Sequence, residues 1–317
     1  MLRIRHQVGQ PTMLVAEEAD RPGPGAGEVL IRTRAVGVTL PAVRKLRDAG
    51  EPVTLGGEVA GEIAGLGDGI VAFGIGDRVT GLCFADAYAE FAVLNAAMIT
   101  RIPDGVSDVE AVALVRSGMV ARGVYEAARV RPGESVLVTA AASAVGTLAV
   151  QYAKAGAAGR VVAAVSSADK ADFLRGLGAD EVVLYKDADW GARYDVILDG
   201  VGGDLLGPAV RALATGGRLV AFSSGGGTVE AHELLVRGAS LIGFQMRAVA
   251  VGKPELYDRW LRELWQLHEA GTLRVAVHEV IPLAEAARAH ALIELRRNLG
   301  KVVLVPPLRP TALPRAT

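Results

Sequence analysis

The 317-residue sequence predicts a two-domain α/β protein. Three observations carry that expectation. Length alone, at about 150 residues per domain, points to two domains. Roughly the first 110 residues read as short strand-like pieces punctuated by turn residues, as in a compact β-barrel or sandwich. From Val130 onward strand-length apolar runs alternate with helix-length amphipathic ones, the pattern of βαβ units and of a parallel sheet buried on both faces.

Taken in order, Arg21-Pro-Gly-Pro-Gly-Ala-Gly precedes a strand at residues 28–36, and residues 56–67 and 74–81 alternate strand-like pieces with glycines. Ser107 stands three residues before Glu110 at the head of an apolar helical run, a capping-box signature. Strands are then expected at residues 135–139, 160–165, 181–185, 194–199, 218–222 and 240–244, with helices in most of the gaps. Val161-Val-Ala-Ala-Val carries no polar alternation, as a strand covered on both sides requires. A long helix at about residues 255–270, a strand at 275–281, a helix at 283–295 and a last strand at 301–305 close the pattern. The tail 306–317, with four prolines, is expected to be loose.

Composition narrows the function classes. With 51% hydrophobic and 22% charged residues the chain can bury a core and is not disordered. A balance of 34 basic against 35 acidic side chains supplies no overall field for a polyanion, so nucleic acid is not an expected partner. The one cysteine, Cys83, excludes internal disulfides and cysteine-rich metal sites and suits a reducing compartment. The start Met1-Leu-Arg-Ile-Arg-His lacks the apolar stretch of a secretory signal, which makes the cytoplasm the expected location. Residues 135–153 run nineteen positions without a charge, yet they are rich in small and hydroxyl side chains. A buried strand, turn and helix is expected there rather than a membrane span.

The chemistry is expected at that turn. Between the strand ending at Thr139 and the helix starting near Val145 lies Ala140-Ala-Ala-Ser-Ala-Val-Gly. A strand feeding a small-residue turn into a helix lets backbone N–H groups face an anionic phosphate at close range. The next strand ends at Val165-Ser166, twenty residues past Gly146, where an NAD enzyme would place a carboxylate on the ribose 2′-hydroxyl. Ser166, Ser167, Lys170 and Tyr185 stand there instead. Hydroxyls, an ammonium and a phenol suit a 2′-phosphate, so NADPH is the expected cofactor.

Several motifs together resemble the medium-chain dehydrogenase/reductase superfamily, and within it the zinc-independent quinone oxidoreductases and enoyl reductases. Gly27-Glu-Val-Leu-Ile-Arg-Thr-Arg-Ala-Val-Gly-Val, Gly56-Gly-Glu-Val-Ala-Gly-Glu-Ile, Gly76-Asp-Arg-Val-Thr-Gly and Ala87-Tyr-Ala-Glu-Phe-Ala-Val resemble landmarks of that family's GroES-like barrel. The family pattern A-x-x-G-x-x-G falls on Ala140, Ser143 and Gly146, with serine replacing the middle glycine. The resemblance implies a GroES-like β-barrel catalytic domain, residues 1–113 completed by 272–317. It implies a Rossmann, doubly wound parallel-sheet domain for NADPH at 114–271, with the active site in the cleft at the carboxyl ends of the strands. By the same match Ala140, Ser143, Ala144, Val145 and Gly146 would meet the pyrophosphate, and Ser166, Lys170 and Tyr185 the 2′-phosphate. Val201, Phe222, Ser223, Ser224 and Phe244 would border the nicotinamide, and Lys301 would come near the site. A homodimer joined through the cofactor domains, by edge pairing of residues 240–246, is also implied.

What is missing shapes the subclass. Zinc-dependent relatives need Cys and His donors. At those places this chain has Thr39 and Gly57, with Glu58 retained, so no metal is expected. Without a metal to polarise an alkoxide, hydride delivery to a quinone or an α,β-unsaturated carbonyl becomes the expected chemistry. That reaction needs a donor for the developing enolate oxygen and a proton source. The stretch Gly37-Val-Thr-Leu-Pro-Ala-Val-Arg-Lys-Leu-Arg has Thr39 where relatives often carry Asn, Ala42 where they carry Asp, and no tyrosine follows up to Gly50. Thr39 is the candidate hydrogen-bond donor, and Arg44, with Lys45 and Arg47, a candidate contact for an acidic or phosphorylated substrate. The histidines His6, His232, His268, His278 and His290 show no ligand spacing and are expected to be structural or surface residues. Two alternatives stay open: a pathway-specific enoyl or ketone reductase, and a catalytically weak NADPH-binding regulatory protein.

Overall fold

β-branched and small apolar residues dominate the segments that become strands, and the glycine clusters mark where the chain turns. The structure is a computed structural model that describes residues 1–9, 13–187, 190, 193–222 and 225–307. In chain order its first elements are β1 (Leu2–Gln7), β2 (Met13–Glu18), β3 (Glu28–Gly37), α1 (Leu40–Arg47), β4 (Gly57–Leu66), β5 (Arg78–Cys83), β6 (Phe91–Asn95), β7 (Ile99–Arg101) and α2 (Asp108–Ala128). There follow β8 (Ser135–Val138), α3 (Ala144–Ala155), β9 (Arg160–Val165), α4 (Ala171–Arg175), β10 (Glu181–Leu184), β11 (Tyr194–Asp199), α5 (Leu206–Arg211), β12 (Leu213–Ala221), α6 (Ala231–Arg237) and β13 (Ser240–Gly243). The chain closes with α7 (Met246–Gly252), α8 (Pro254–Glu269), β14 (Val277–Pro282), α9 (Ala286–Glu294) and β15 (Lys301–Val305).

Two units emerge. The first comprises residues 1–112, 279–295 and the chain from 302 onward, and the second residues 113–278 and 296–301. In the first, a seven-stranded sheet runs in the order β14-β15-β3-β4-β5-β7, with β6 also paired to β3. β3 and β4 are antiparallel with two register shifts, which strengthen local twist and let the sheet coil. Val29, Ile31, Val36, Val59, Ile63 and Val79 point into a closed apolar core. α1 lays Val43 and Leu46 into it. The capping box forms as the sequence predicts: Glu110 Oε2 accepts the Ser107 N–H at 2.9 Å, and Ser107 Oγ accepts the Glu110 N–H at 3.2 Å.

The second unit carries a six-stranded parallel sheet, β10-β9-β8-β11-β12-β13. Strand order runs outward in one direction from β8 and in the other from β11, so the switch point lies between these two strands. β9 is buried from Val161 to Val165, as its unbroken apolar run requires. β12 begins at Leu213 rather than at residue 218, because Leu213 pairs with Tyr194 before the register shifts to Val196 against Arg218. No helix of the described residues is long and apolar enough to cross a membrane. The uncharged stretch 135–153 folds as β8, the turn and most of α3.

Residues 272–278 and 296–301 differ from the expected division and belong with the parallel-sheet unit. The reason is backbone bonding: the Gly300 N–H donates to Ala142 O at 2.7 Å and the Lys301 N–H to Ala276 O at 2.8 Å. The Gln151 amide also pairs with both backbone groups of Arg274, at 2.8 and 3.0 Å.

His290 is buried with its Nε2 3.0 Å from the Tyr88 hydroxyl, in an edge-on ring contact. Burial pushes its imidazole down from 6.5 to about 4. The folded protein therefore keeps His290 neutral where the unfolded chain already takes a proton. That contribution to stability is complete above pH 6.5 and is lost as pH falls toward 4, by about 3 kcal/mol in all. We expect chemical denaturation across pH 4–7 to show a steeper acid loss in the wild type than in His290→Leu. Parallel curves would contradict the assignment.

Candidate functional site

The turn between β8 and α3 is built from residues small enough to let three backbone segments meet. Ala140 takes a left-handed conformation, φ 49°. Ser143 N–H closes the turn onto Ala140 O at 2.8 Å. At Gly146 only glycine fits, since a Cβ there would stand 2.1 Å from Ala140 O. Tyr185 Oη accepts the Ala140 N–H at 2.8 Å, and Ser143 Oγ caps α3 by accepting the Gly146 N–H at 3.0 Å. The N–H groups of Ala144 and Val145, in the first turn of α3, have no intrahelical acceptor and sit at the positive end of the helix dipole. Such a turn suits a phosphate.

Beside it, at the switch point, Asp199 is completely buried at the end of β11. Its Oδ1 accepts the Thr139 hydroxyl at 2.6 Å and the Val201 N–H at 3.2 Å, and its Oδ2 accepts the Gly202 N–H at 3.0 Å. The Gly200 N–H in turn donates to Thr139 Oγ1 at 2.9 Å. One carboxylate thus ties the end of β8 to the loop after β11. Against that loop the Phe222 ring packs on Gly200, where an added Cβ would also meet the Ala140 side chain, while the Phe244 ring packs on Gly123 of α2. Val201, Phe222 and Phe244 are half-buried at the carboxyl ends of β11, β12 and β13. Ser223 and Ser224 lie outside the described residues.

At the ends of β9 and β10 the structure gathers a cationic corner. Ser166 is exposed just past β9, and Ser167 Oγ donates to Asp169. Lys170 is buried, and its Nζ donates to Arg296 O at 2.5 Å. Burial pushes the Lys170 ammonium down, Asp169 opposes that, and the Arg296 guanidinium adds to it. Tyr185 is pushed up to about 12, mainly by burial. Arg296 has an exposed side chain on a left-handed residue, φ 53°, and its charge is felt by both Lys170 and Tyr185. Sequence reasoning missed it because it lies 126 residues from Lys170. The signal available was the pair Arg296-Arg297 just before the turn at Gly300. Lys301 is buried in β15.

In the other unit Thr39 caps α1: its Oγ1 accepts the Ala42 N–H at 3.3 Å, which leaves the hydroxyl proton able to donate. Arg44, Lys45 and Arg47 lie in the last turn of α1, where cations complement the helix dipole. Lys45 donates to Thr54 O at 3.3 Å and Arg47 pairs with Asp48 at 2.8 Å. Thr39 offers a neutral hydroxyl, Gly57 has no side chain, and among the described residues no three His, Cys, Asp or Glu side chains cluster as a metal site.

Comparison with known proteins places this geometry in context. Residues 25–104 match the alcohol dehydrogenase GroES-like domain, and residues 177–304 match a family described as zinc-binding dehydrogenase. The chain is 32% identical to a quinone oxidoreductase of Pseudomonas aeruginosa, over 94% of its own length and 97% of that protein. It is 29% identical to a 2-haloacrylate reductase of a Burkholderia species, over 96% and 99%. A mycobacterial protein solved in complex with NADPH superposes with a TM-score of 0.88 at 30% identity, over 96% of this chain and all of that one.

The Asp199 network makes a direct demand on stability. Replacing Asp199 with Ala leaves the Thr139 hydroxyl and two loop N–H groups without their acceptor, and we expect a loss of about 3 kcal/mol or more in urea denaturation. A loss below about 1 kcal/mol would show that water or neighbouring groups replace the carboxylate without cost.

Proposed function

Because the chain belongs to the medium-chain dehydrogenase/reductase superfamily, in its quinone oxidoreductase-like branch, we propose that it is an NADPH-dependent oxidoreductase that reduces a quinone or an α,β-unsaturated carbonyl without zinc. The observation that supports the cofactor choice is that Arg296 is bonded through its carbonyl to Lys170 and acts through its charge on both Lys170 and Tyr185, with the exposed Ser166 just past β9. A nearby ribose 2′-phosphate would be met by a guanidinium and a hydroxyl, and the Lys170 ammonium holds the Arg296 turn in place. Asp169, the carboxylate nearest in sequence, is drawn onto Ser167.

When bound, NADPH supplies the hydride. The chain's own groups supply the rest. Ala144 and Val145 present N–H groups to the pyrophosphate, and Val201, Phe222 and Phe244 form apolar surface at the strand ends that suits the nicotinamide. Thr39, already accepting the Ala42 N–H, offers its hydroxyl proton to the carbonyl oxygen on which negative charge develops. Arg44, with a partner already engaged, remains a secondary candidate for an acidic substrate. The reductase named for 2-haloacrylate supports an activated alkene as acceptor, and the quinone oxidoreductase supports a quinone.

The same reading includes a homodimer. β13 is the last strand of the parallel sheet, and among the described residues nothing pairs with its outer side. Leu241 on this strand and Leu235 and Val236 on α6 are exposed, a pattern that edge-to-edge pairing of two copies would cover. Light scattering at micromolar concentration should give twice the chain mass, and a monomer would contradict it.

Nucleotide titration tests the cofactor choice. We expect NADPH to bind at least about tenfold tighter than NADH, and Arg296→Ala to remove most of that preference. Equal affinities in the wild type would contradict it. For the acceptor, Thr39→Val should lower kcat with a simple quinone or enone by about 10-fold to 100-fold while leaving the NADPH Kd unchanged. Bound NADPH with background rates on every acceptor would instead favour a binding protein or a narrow specialist.

A further inference from the structure

Resting on the NADPH reading above, we infer that Ser143 regulates how tightly the chain holds its cofactor, because its hydroxyl occupies a backbone donor that the pyrophosphate would otherwise take. At the start of α3 the N–H groups of Ala144, Val145 and Gly146 lack intrahelical acceptors. Ser143 Oγ takes the Gly146 N–H at 3.0 Å, and Ser143 O takes the Thr147 N–H at 2.9 Å. That leaves two donors of the first turn without an intrahelical acceptor, those of Ala144 and Val145. A phosphate oxygen and the serine oxygen therefore compete for the same N–H at the same end of the helix axis.

The turn cannot shift to relieve that competition. Gly146 already sits so close to Ala140 O that even a methyl group has no room. The Ala142 carbonyl is held by the Gly300 N–H at 2.7 Å, and the Ala140 N–H is held by Tyr185 at 2.8 Å. Ser143 also forms a bridge to Gly300. What remains free to move is rotation of the Ser143 side chain, which releases Gly146 and gives up the cap. The hydroxyl thus keeps the empty turn folded and weakens the hold on the pyrophosphate, favouring exchange of nucleotide.

The test compares wild type, Ser143→Gly, Ser143→Ala and Ser143→Thr by calorimetric titration with NADPH and with adenosine 2′-monophosphate, together with thermal denaturation in the absence of nucleotide. Both variants lacking the hydroxyl should bind NADPH about fivefold tighter, and empty Ser143→Ala should melt a few degrees lower while Ser143→Gly, a better N-cap than alanine, loses less. Ser143→Thr, which keeps the hydroxyl, should keep the wild-type affinity. Adenosine 2′-monophosphate, which has no pyrophosphate, should bind all four proteins alike. Unchanged or weaker NADPH binding in both Gly and Ala variants overturns this inference alone. A wild type that binds no NADPH overturns the cofactor reading and the inference together.

Discussion

The buried carboxylate of Asp199 is the constraint on which the parallel-sheet unit's working end depends. A polar group excluded from water is tolerated only when its lone pairs are met by donors, and Thr139, Val201 and Gly202 meet them. Because those donors come from the end of β8 and from the loop after β11, satisfying one carboxylate fixes the two strand ends that flank the switch point. The turn at residues 140–146 begins one residue after Thr139, so its geometry is inherited from this network. The glycines at 200, 202 and 225 then pack with little space for side chains, since a Cβ at any of them would meet another atom within about 3 Å.

Around this fixed centre, polar groups are used twice. Tyr185 closes β10 and also satisfies the first N–H of the turn. Lys170 stands where a phosphate contact is expected, yet spends a hydrogen bond on the Arg296 carbonyl, which positions an exposed guanidinium beside it. Burying the ammonium lowers its hold on its proton, so its charge is maintained at a cost that the Arg296 carbonyl and Asp169 offset. The second unit's closing segment, residues 296–301, matters because it delivers both Arg296 and the Gly300 N–H to this region.

Much of the fold was legible because burial on both faces leaves a plain mark: β9, β11 and β15 span the residues that the pattern predicts. β12 was harder, since Thr215-Gly-Gly reads as a turn while the chain there continues as a bulged strand against Tyr194. The small-residue turn was visible as a candidate phosphate site, but the direction of the Ser143 hydroxyl is set by backbone dihedrals that composition does not reveal. Arg296 was hidden by chain distance, and Asp199 by looking like any carboxylate at a strand end. Two of the histidines make structural contacts: His6 Nδ1 accepts the Val53 N–H at 3.1 Å, and His290 lies against Tyr88.

On the proposed reading, the chain binds NADPH and passes its hydride to a quinone or an α,β-unsaturated carbonyl. NADPH carrying deuterium at the transferable C4 position, incubated with the protein and a simple enone, tests that claim most directly. Transfer predicts one deuterium at the β-carbon of the saturated product, read by mass spectrometry and NMR, at a rate above the protein-free control. Deuterium that stays in the nucleotide, with the enone recovered intact, would contradict it.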